Sequence, residues 1–194
     1  MKLILASGSP RRREILSALD IPFTVRTSDA DETCRITDPA GRVAAIASVK
    51  CAAVRDAMLS EGTLDDDTMI LAADTLVVQD GHFLGKPADA EDAARMIRAL
   101  AGTTHIVSSG IAVWYRGRMA TASEITEVEF APMTEEEVAA YVATGEPFGK
   151  AGGYAIQGQA SRYIVGIRGD YFNVVGLPVH RLLVTVREAF GVTL

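Results

Sequence analysis

Leu3-Ile4-Leu5-Ala6-Ser7-Gly8-Ser9-Pro10-Arg11-Arg12-Arg13 runs from a short apolar strand through a Ser-Gly-Ser turn into a helix. The run Leu3–Ala6 has the length of a buried strand, too short for a helix. Ser9 at the N-cap and Pro10 at the first helical position are start signals, and the helix extends to about Leu19. One feature breaks the local rule. Three arginines fill the first turn, where the helix dipole favours negative charge. The conflict resolves if an anion sits at the helix N-terminus, so that backbone N–H groups, Ser hydroxyls and guanidinium groups converge on it. The bland alternative is a solvated basic turn.

Outward from this start, strands and helices alternate without regular βαβ repeats. Phe23–Val25 reads as a second strand and Asp29–Gly41 as a polar loop. Apolar residues at Val43, Ile46, Ala47, Val49, Ala53 and Val54 give Arg42–Met58 the spacing of an amphipathic helix. Glu61–Thr68 is an acidic loop, Met69–Val78 a long apolar strand, and Asp80-Gly81 a hairpin turn. A helix over Ala90–Leu100 ends at Gly102. Thr104–Tyr115 and Met119–Phe130 form an antiparallel hairpin through Arg116-Gly117-Arg118. Thr134 and Glu137 spell a capping box at the start of the next helix. A glycine-rich stretch over 145–158, a strand over Tyr163–Ile167 and a helix over Pro178–Phe190 complete the chain. The expected fold is α/β: one domain over residues 1–194, a mixed, elongated sheet flanked by helices, and a cleft between two lobes.

Composition narrows the function classes. The 194 residues are 48% hydrophobic and 23% charged, with net charge −6. An acidic protein is a poor general binder of nucleic acid, so any phosphate chemistry needs a local basic pocket. Cys34 and Cys51 form no CxxC, and His82, His105 and His180 are scattered. Zinc and cysteine redox chemistry are therefore not expected, and both cysteines read as free thiols in a reducing compartment. The apolar start is too short for a signal peptide or membrane span, which predicts a cytoplasmic protein with no membrane partner.

Several residues carry chemistry. Asp74 interrupts an apolar strand, and a buried carboxylate needs a partner or a cleft; it suits a general base or metal ligand. Thr75 follows it, and in a regular strand the two point to opposite faces. Lys86, held between Gly85 and Pro87, suits a phosphate as a point charge, as does Lys50 on an otherwise apolar helix. Gln157 sits between Ile156 and Gly158, in a stretch whose glycines let backbone approach a ligand. That stretch is neither a P-loop nor GxGxxG, and Gln157 could read a base edge with its amide. Glu32, in the polar loop beside Asp31, is a candidate to share a divalent cation, since Mg²⁺ favours a few carboxylates plus phosphate oxygens.

Taken in order, Leu5–Arg12, Ala73-Asp74-Thr75, Gly85-Lys86-Pro87, Lys150–Gly158, Gly169-Asp170-Tyr171 and Val174–Pro178 closely resemble the Maf family, also called septum formation inhibitor-like proteins. The resemblance covers essentially the whole chain. It implies a nucleoside triphosphate pyrophosphatase with a fold similar to inosine triphosphate pyrophosphatases, a divalent metal (Mg²⁺ or Mn²⁺) held by Glu32 and Asp74, and Asp74 as proton acceptor. Ser7, Ser9, Arg12, Arg13, Lys50 and Lys86 would bind the phosphates. Arg11, Thr75 and Gln157 match the branch that acts on dTTP and UTP; a second branch, preferring 7-methyl-GTP, carries Trp, Gln and Glu there. The rival readings are a nucleotide-binding regulator of cell division without turnover, and a pyrophosphatase for modified purine nucleotides. The Thr104–Phe130 hairpin offers a candidate edge for a homodimer.

Overall fold

The structure is a computed structural model that describes residues 1–194. Seven strands form one mixed sheet: β1 (Lys2–Leu5), β2 (Phe23–Val25), β3 (Thr68–Gln79), β4 (His82–Leu84), β5 (Thr104–Tyr115), β6 (Arg118–Phe130) and β7 (Ile164–Arg168). Their order is β2-β1-β3-β5-β6-β7, with β4 paired to β3. β1 pairs in parallel with both β2 and β3, and the β3–β4 and β6–β7 pairs are antiparallel. The helices are α1 (Pro10–Ala18), α2 (Pro39–Ser60), α3 (Ala90–Leu100), α4 (Glu135–Ala143), α5 (Tyr171–Val175) and α6 (Val179–Phe190). The expected mixed α/β class holds. No helix is long and apolar enough to cross a membrane.

The local signals act as the sequence suggests. Both residues of the β5–β6 turn have positive φ, 48° at Arg116 and 75° at Gly117, the twist a tight hairpin requires. At α4 both halves of the capping box form: Glu137 N–H donates to Thr134 Oγ1 (3.2 Å) and Thr134 N–H to Glu137 Oε2 (2.8 Å). Two elements differ. α2 starts three residues before the expected Arg42, because Asp38 caps it through Gly41 N–H (2.7 Å) and Pro39 takes the first position. α5 falls where no helix was expected; Asp170 Oδ1 accepts from Phe172 N–H (2.7 Å) and Asn173 N–H (3.3 Å) and so closes its start. The hairpin expected as a homodimer edge is part of the sheet. β5 lies between β3 and β6, and β7 covers the Glu127–Phe130 part of β6.

The chain clusters into two compact units. The first holds Met1–Asp74, Ser109–Glu124 and Gly176–Leu194. Its core gathers Ala47, Cys51, Val54 and Met58 of α2 with Ile70, Ala72 and Ala112. Helix α2 comes so close to β5 that a Cβ on Gly110 would lie 2.5–2.7 Å from the backbone of Val43 and Ala44; only glycine fits. The second unit holds Thr75–Ser108 and Ile125–Val175. Met96, Ile97 and Leu100 of α3, Val138, Tyr141 and Val142 of α4, and Phe130 and Tyr154 form its core.

Candidate active site

In the first unit, strand β3 is buried from Thr68 to Ala73 and opens only where Asp74 and Thr75 become partly exposed. Asp74 is thus a carboxylate at the lip of an apolar strand, and its partner is on α2. Lys50 Nζ lies 2.8 Å from Asp74 Oδ1 and 3.0 Å from Glu32 Oε2. Asp74 and Lys50 side chains are 17% and 16% exposed, against 53% for Glu32. The Asp74 pair is therefore the strongly desolvated one, and Glu32 reaches it from the solvent side. The three residues come from a loop, a helix and a strand far apart in sequence. The local turn at Asp31, whose carboxylate accepts from Thr33 N–H (2.9 Å), fixes the loop beside Glu32.

The β1–α1 turn supplies the second part. Ser9 is the N-cap residue of α1, as expected, but its hydroxyl makes no capping bond. Ser7 Oγ accepts from Arg12 Nη1 (2.8 Å) and Ser9 N–H (3.3 Å), and Arg12 Nε donates to the Gly176 carbonyl (2.8 Å). Arg12 is buried. Burial pulls its guanidinium down to about 10, Asp74 and Glu32 act to raise it and Arg11 to lower it. Arg12 therefore stays charged at neutral pH and senses both carboxylates. Arg11 is half-buried and lowered chiefly by burial, while Arg13 is exposed. Successive helical residues lie about 100° apart, so the three arginines fan around α1 and do not all face one point.

The structure thus gathers Ser7, Ser9, Arg11, Arg12, Arg13, Glu32, Lys50 and Asp74 in the first unit. Thr75, Lys86 and Gln157 belong to the second. There Gly152 N–H donates to the Gly85 carbonyl (3.0 Å), tying the turn that carries Lys86 to the glycine-rich loop that carries Gln157. Both side chains are exposed. Sequence reading missed Gly176, whose carbonyl holds Arg12, and Glu146, whose carboxylate organises the glycine-rich loop. A carboxylate just ahead of Lys150-Ala151-Gly152-Gly153 was the available signal.

A family model described as "Maf-like protein" matches residues 2–189. The chain belongs to the Maf family. Among its curated Maf relatives, a dTTP/UTP pyrophosphatase of Moorella thermoacetica is 47% identical, covering 98% of this chain and 94% of its own. Those of Pelotomaculum thermopropionicum (46%, covering 93% of each chain) and Bacillus cytotoxicus (43%, covering 96% and 95%) are similarly close. Among solved structures, that of the Staphylococcus aureus Ham1 protein aligns with TM-score 0.46 at 13% identity, over 68% of this chain and 72% of that one.

No group of three or more His, Cys, Asp or Glu side chains is assembled to hold a metal. Asp74 and Glu32 share one cation, the Lys50 ammonium. Two carboxylates fit Mg²⁺ or Mn²⁺, which complete their shell with phosphate oxygens and water. Cys51 is no soft alternative. Cys51 is buried with its thiol pushed up to about 12 by desolvation, and Sγ rests 3.6 Å from the Ile70 carbonyl.

Proposed function

We propose that residues 1–194 work as one Maf-like pyrophosphatase domain in the cytoplasm. It hydrolyses nucleoside triphosphates, dTTP and UTP first, to the monophosphate and pyrophosphate. The observation that carries the reading is Asp74 at the open point of a buried strand, paired with Lys50 and electrostatically linked to Arg12. A carboxylate there could take a proton from water, and Lys50 and Arg12 beside it suit an anionic substrate such as a triphosphate. The names of the relatives supply the substrate class.

In this mechanism the triphosphate lies along Ser7–Arg13. Backbone N–H groups at the start of α1, the Ser9 hydroxyl and the guanidinium groups of Arg12 and Arg13 hold its oxygens, and Ser7 fixes Arg12. Asp74 orients a water and takes its proton as the oxygen bonds to the α-phosphorus. The bond from that phosphorus to the bridging oxygen breaks, and pyrophosphate leaves with the electron pair. Lys50, drawn from its carboxylates, and Lys86 offset the charge that develops. A divalent cation held by Asp74 and Glu32 would neutralise phosphate charge and assist the leaving group. Arg11, Thr75 and Gln157 set base preference.

The test is pyrophosphate release from dTTP, UTP, CTP, GTP and 7-methyl-GTP with Mg²⁺, with Mn²⁺ and with EDTA. The expected result is metal-dependent release, fastest from dTTP and UTP. Binding of nucleotide with no release from any of them would favour the regulatory reading instead.

A further inference from the structure

The glycine-rich loop of the second unit is organised around one carboxylate, that of Glu146. Its Oε2 accepts from Gln159 N–H (2.7 Å), and its Oε1 from Ala160 N–H (3.2 Å) and Tyr141 Oη (3.0 Å). Tyr141 Oη also lies 3.2 Å from the Gly153 carbonyl. The segment is thus gripped four residues before Gln157 and two and three residues after it. Between the grips, Gly158 N–H donates to the Ala155 carbonyl (3.0 Å), closing a turn with Ile156 and Gln157 at its centre. A Cβ on Gly158 would fall 2.2 Å from Glu146 Oε2 and 2.6 Å from Oε1. Glycine is required there because the backbone is laid directly over the carboxylate. Gln157 itself is exposed at the tip.

We propose that Glu146 is the positioning residue for base selection: its carboxylate sets the turn that aims Gln157 at the nucleobase. This rests on the reading of Gln157 as a base-contacting residue. An anionic acceptor of two backbone N–H groups and a phenol holds backbone far more stiffly than a neutral one. A flexible loop would let the Gln157 amide follow whichever base entered. A pinned loop holds the amide in one place, and pyrimidines and purines differ in size and in the edge they present to it.

The experiment compares Glu146→Gln, Gly158→Ala, Gln157→Ala and the Glu146→Gln/Gln157→Ala double variant. For each, kcat and KM are measured for dTTP and UTP, with the Ki of GTP as competitor. Glu146→Gln keeps the size but turns an amide N–H toward backbone donors, and should raise KM for UTP about tenfold and narrow the gap to GTP, with kcat within about threefold. Gly158→Ala leaves Glu146 in the chain but forces the turn off it, and should do the same. In the Gln157→Ala background, Glu146→Gln should add nothing further. Wild-type preference in Gln157→Ala would overturn the underlying assignment, and Glu146's role with it. Altered preference in Gln157→Ala with wild-type preference in both Glu146→Gln and Gly158→Ala would overturn the Glu146 proposal alone. A full additive loss in the double variant would also overturn it, since Glu146 would then act by another route.

Discussion

Replacing Asp74 with Asn removes one charge and keeps the shape. The neutral amide oxygen can still accept from Lys50, now 2.8 Å from Oδ1, and Lys50 keeps Glu32 at 3.0 Å. The stability change is therefore the difference between a charged and a neutral hydrogen bond in a largely buried place, about 1 kcal/mol. For a chain of this length that lowers Tm by about 2–4 °C. The kinetic change is much larger. Loss of a general base costs about 10²- to 10⁴-fold in kcat, or about 3–5 kcal/mol of barrier. Binding of dTTP in EDTA should stay level or tighten, because a negative charge near the phosphates is gone. The assay is steady-state pyrophosphate release from dTTP, with thermal unfolding on the same preparation and mass spectrometry to exclude deamidation back to Asp. An intact Asn variant within tenfold of wild-type kcat would refute Asp74 as the base. A Tm loss far beyond a few degrees would instead show that the Lys50 pair is chiefly structural.

Two further predictions concern Lys50 and His105. Lys50→Met leaves Asp74 and Glu32 facing each other without their shared cation, so it should lower Tm in EDTA; saturating Mn²⁺ should restore part of the loss and bind more tightly than to wild type, read by electron paramagnetic resonance without nucleotide. An equal Tm change with and without Mn²⁺ would refute the shared cation position. His105 is buried on β5 with Nε2 2.7 Å from Tyr154 Oη, and desolvation lowers it to about 4. The unfolded chain, with His near 6.5, takes up the proton first, so stability is full above about pH 6.5 and falls as pH drops toward 4; between pH 7 and pH 5 the loss is about 2 kcal/mol. Urea unfolding at the two pH values should show that loss, and His105→Phe should remove most of it. A slope unchanged in His105→Phe would assign the pH dependence to other groups.

Much of the fold could be read from sequence because the signals were short-range. The capping box at Thr134 and Glu137 and the long strand around Asp74 depend on residues within a few positions of one another. α5 escaped because five residues are too few to show a helical period, and its start depends on Asp170 and on polar contacts from distant strands. Thr126 Oγ1 accepts from Asp170 N–H (3.0 Å) and Asn173 Nδ2 (2.9 Å). The candidate site divides in the same way. Asp74 announced itself as a charge in an apolar strand. Its pairing with Lys50 and Glu32 could not be read, because no local rule joins a loop, a helix and a strand. The first-turn arginines were read as one cluster. Their differing burial follows from helical geometry together with the position of Gly176, whose carbonyl no spacing rule predicts.

The charge arrangement explains how an acidic protein can handle a polyphosphate. In the first unit Lys50 and Arg12 face Asp74 and Glu32, so these four groups sum to zero. Each of these cations is satisfied within the protein, Lys50 by carboxylates and Arg12 by Ser7 and Gly176. That balance avoids the cost of an unpaired buried charge in the resting protein. A triphosphate adds roughly four negative charges, more than Arg11 and Arg13 of this unit can offset together. If Lys50 turns to the phosphates, Asp74 and Glu32 are left as two neighbouring anions beside a third. Neighbouring anions repel one another, and a divalent cation between them would offset that charge. Glu32→Gln should therefore raise the Mg²⁺ concentration needed for half-maximal kcat by a larger factor than it weakens dTTP binding measured in EDTA. Equal factors in both would mean that Glu32 contributes to the nucleotide site as a whole and not to the cation.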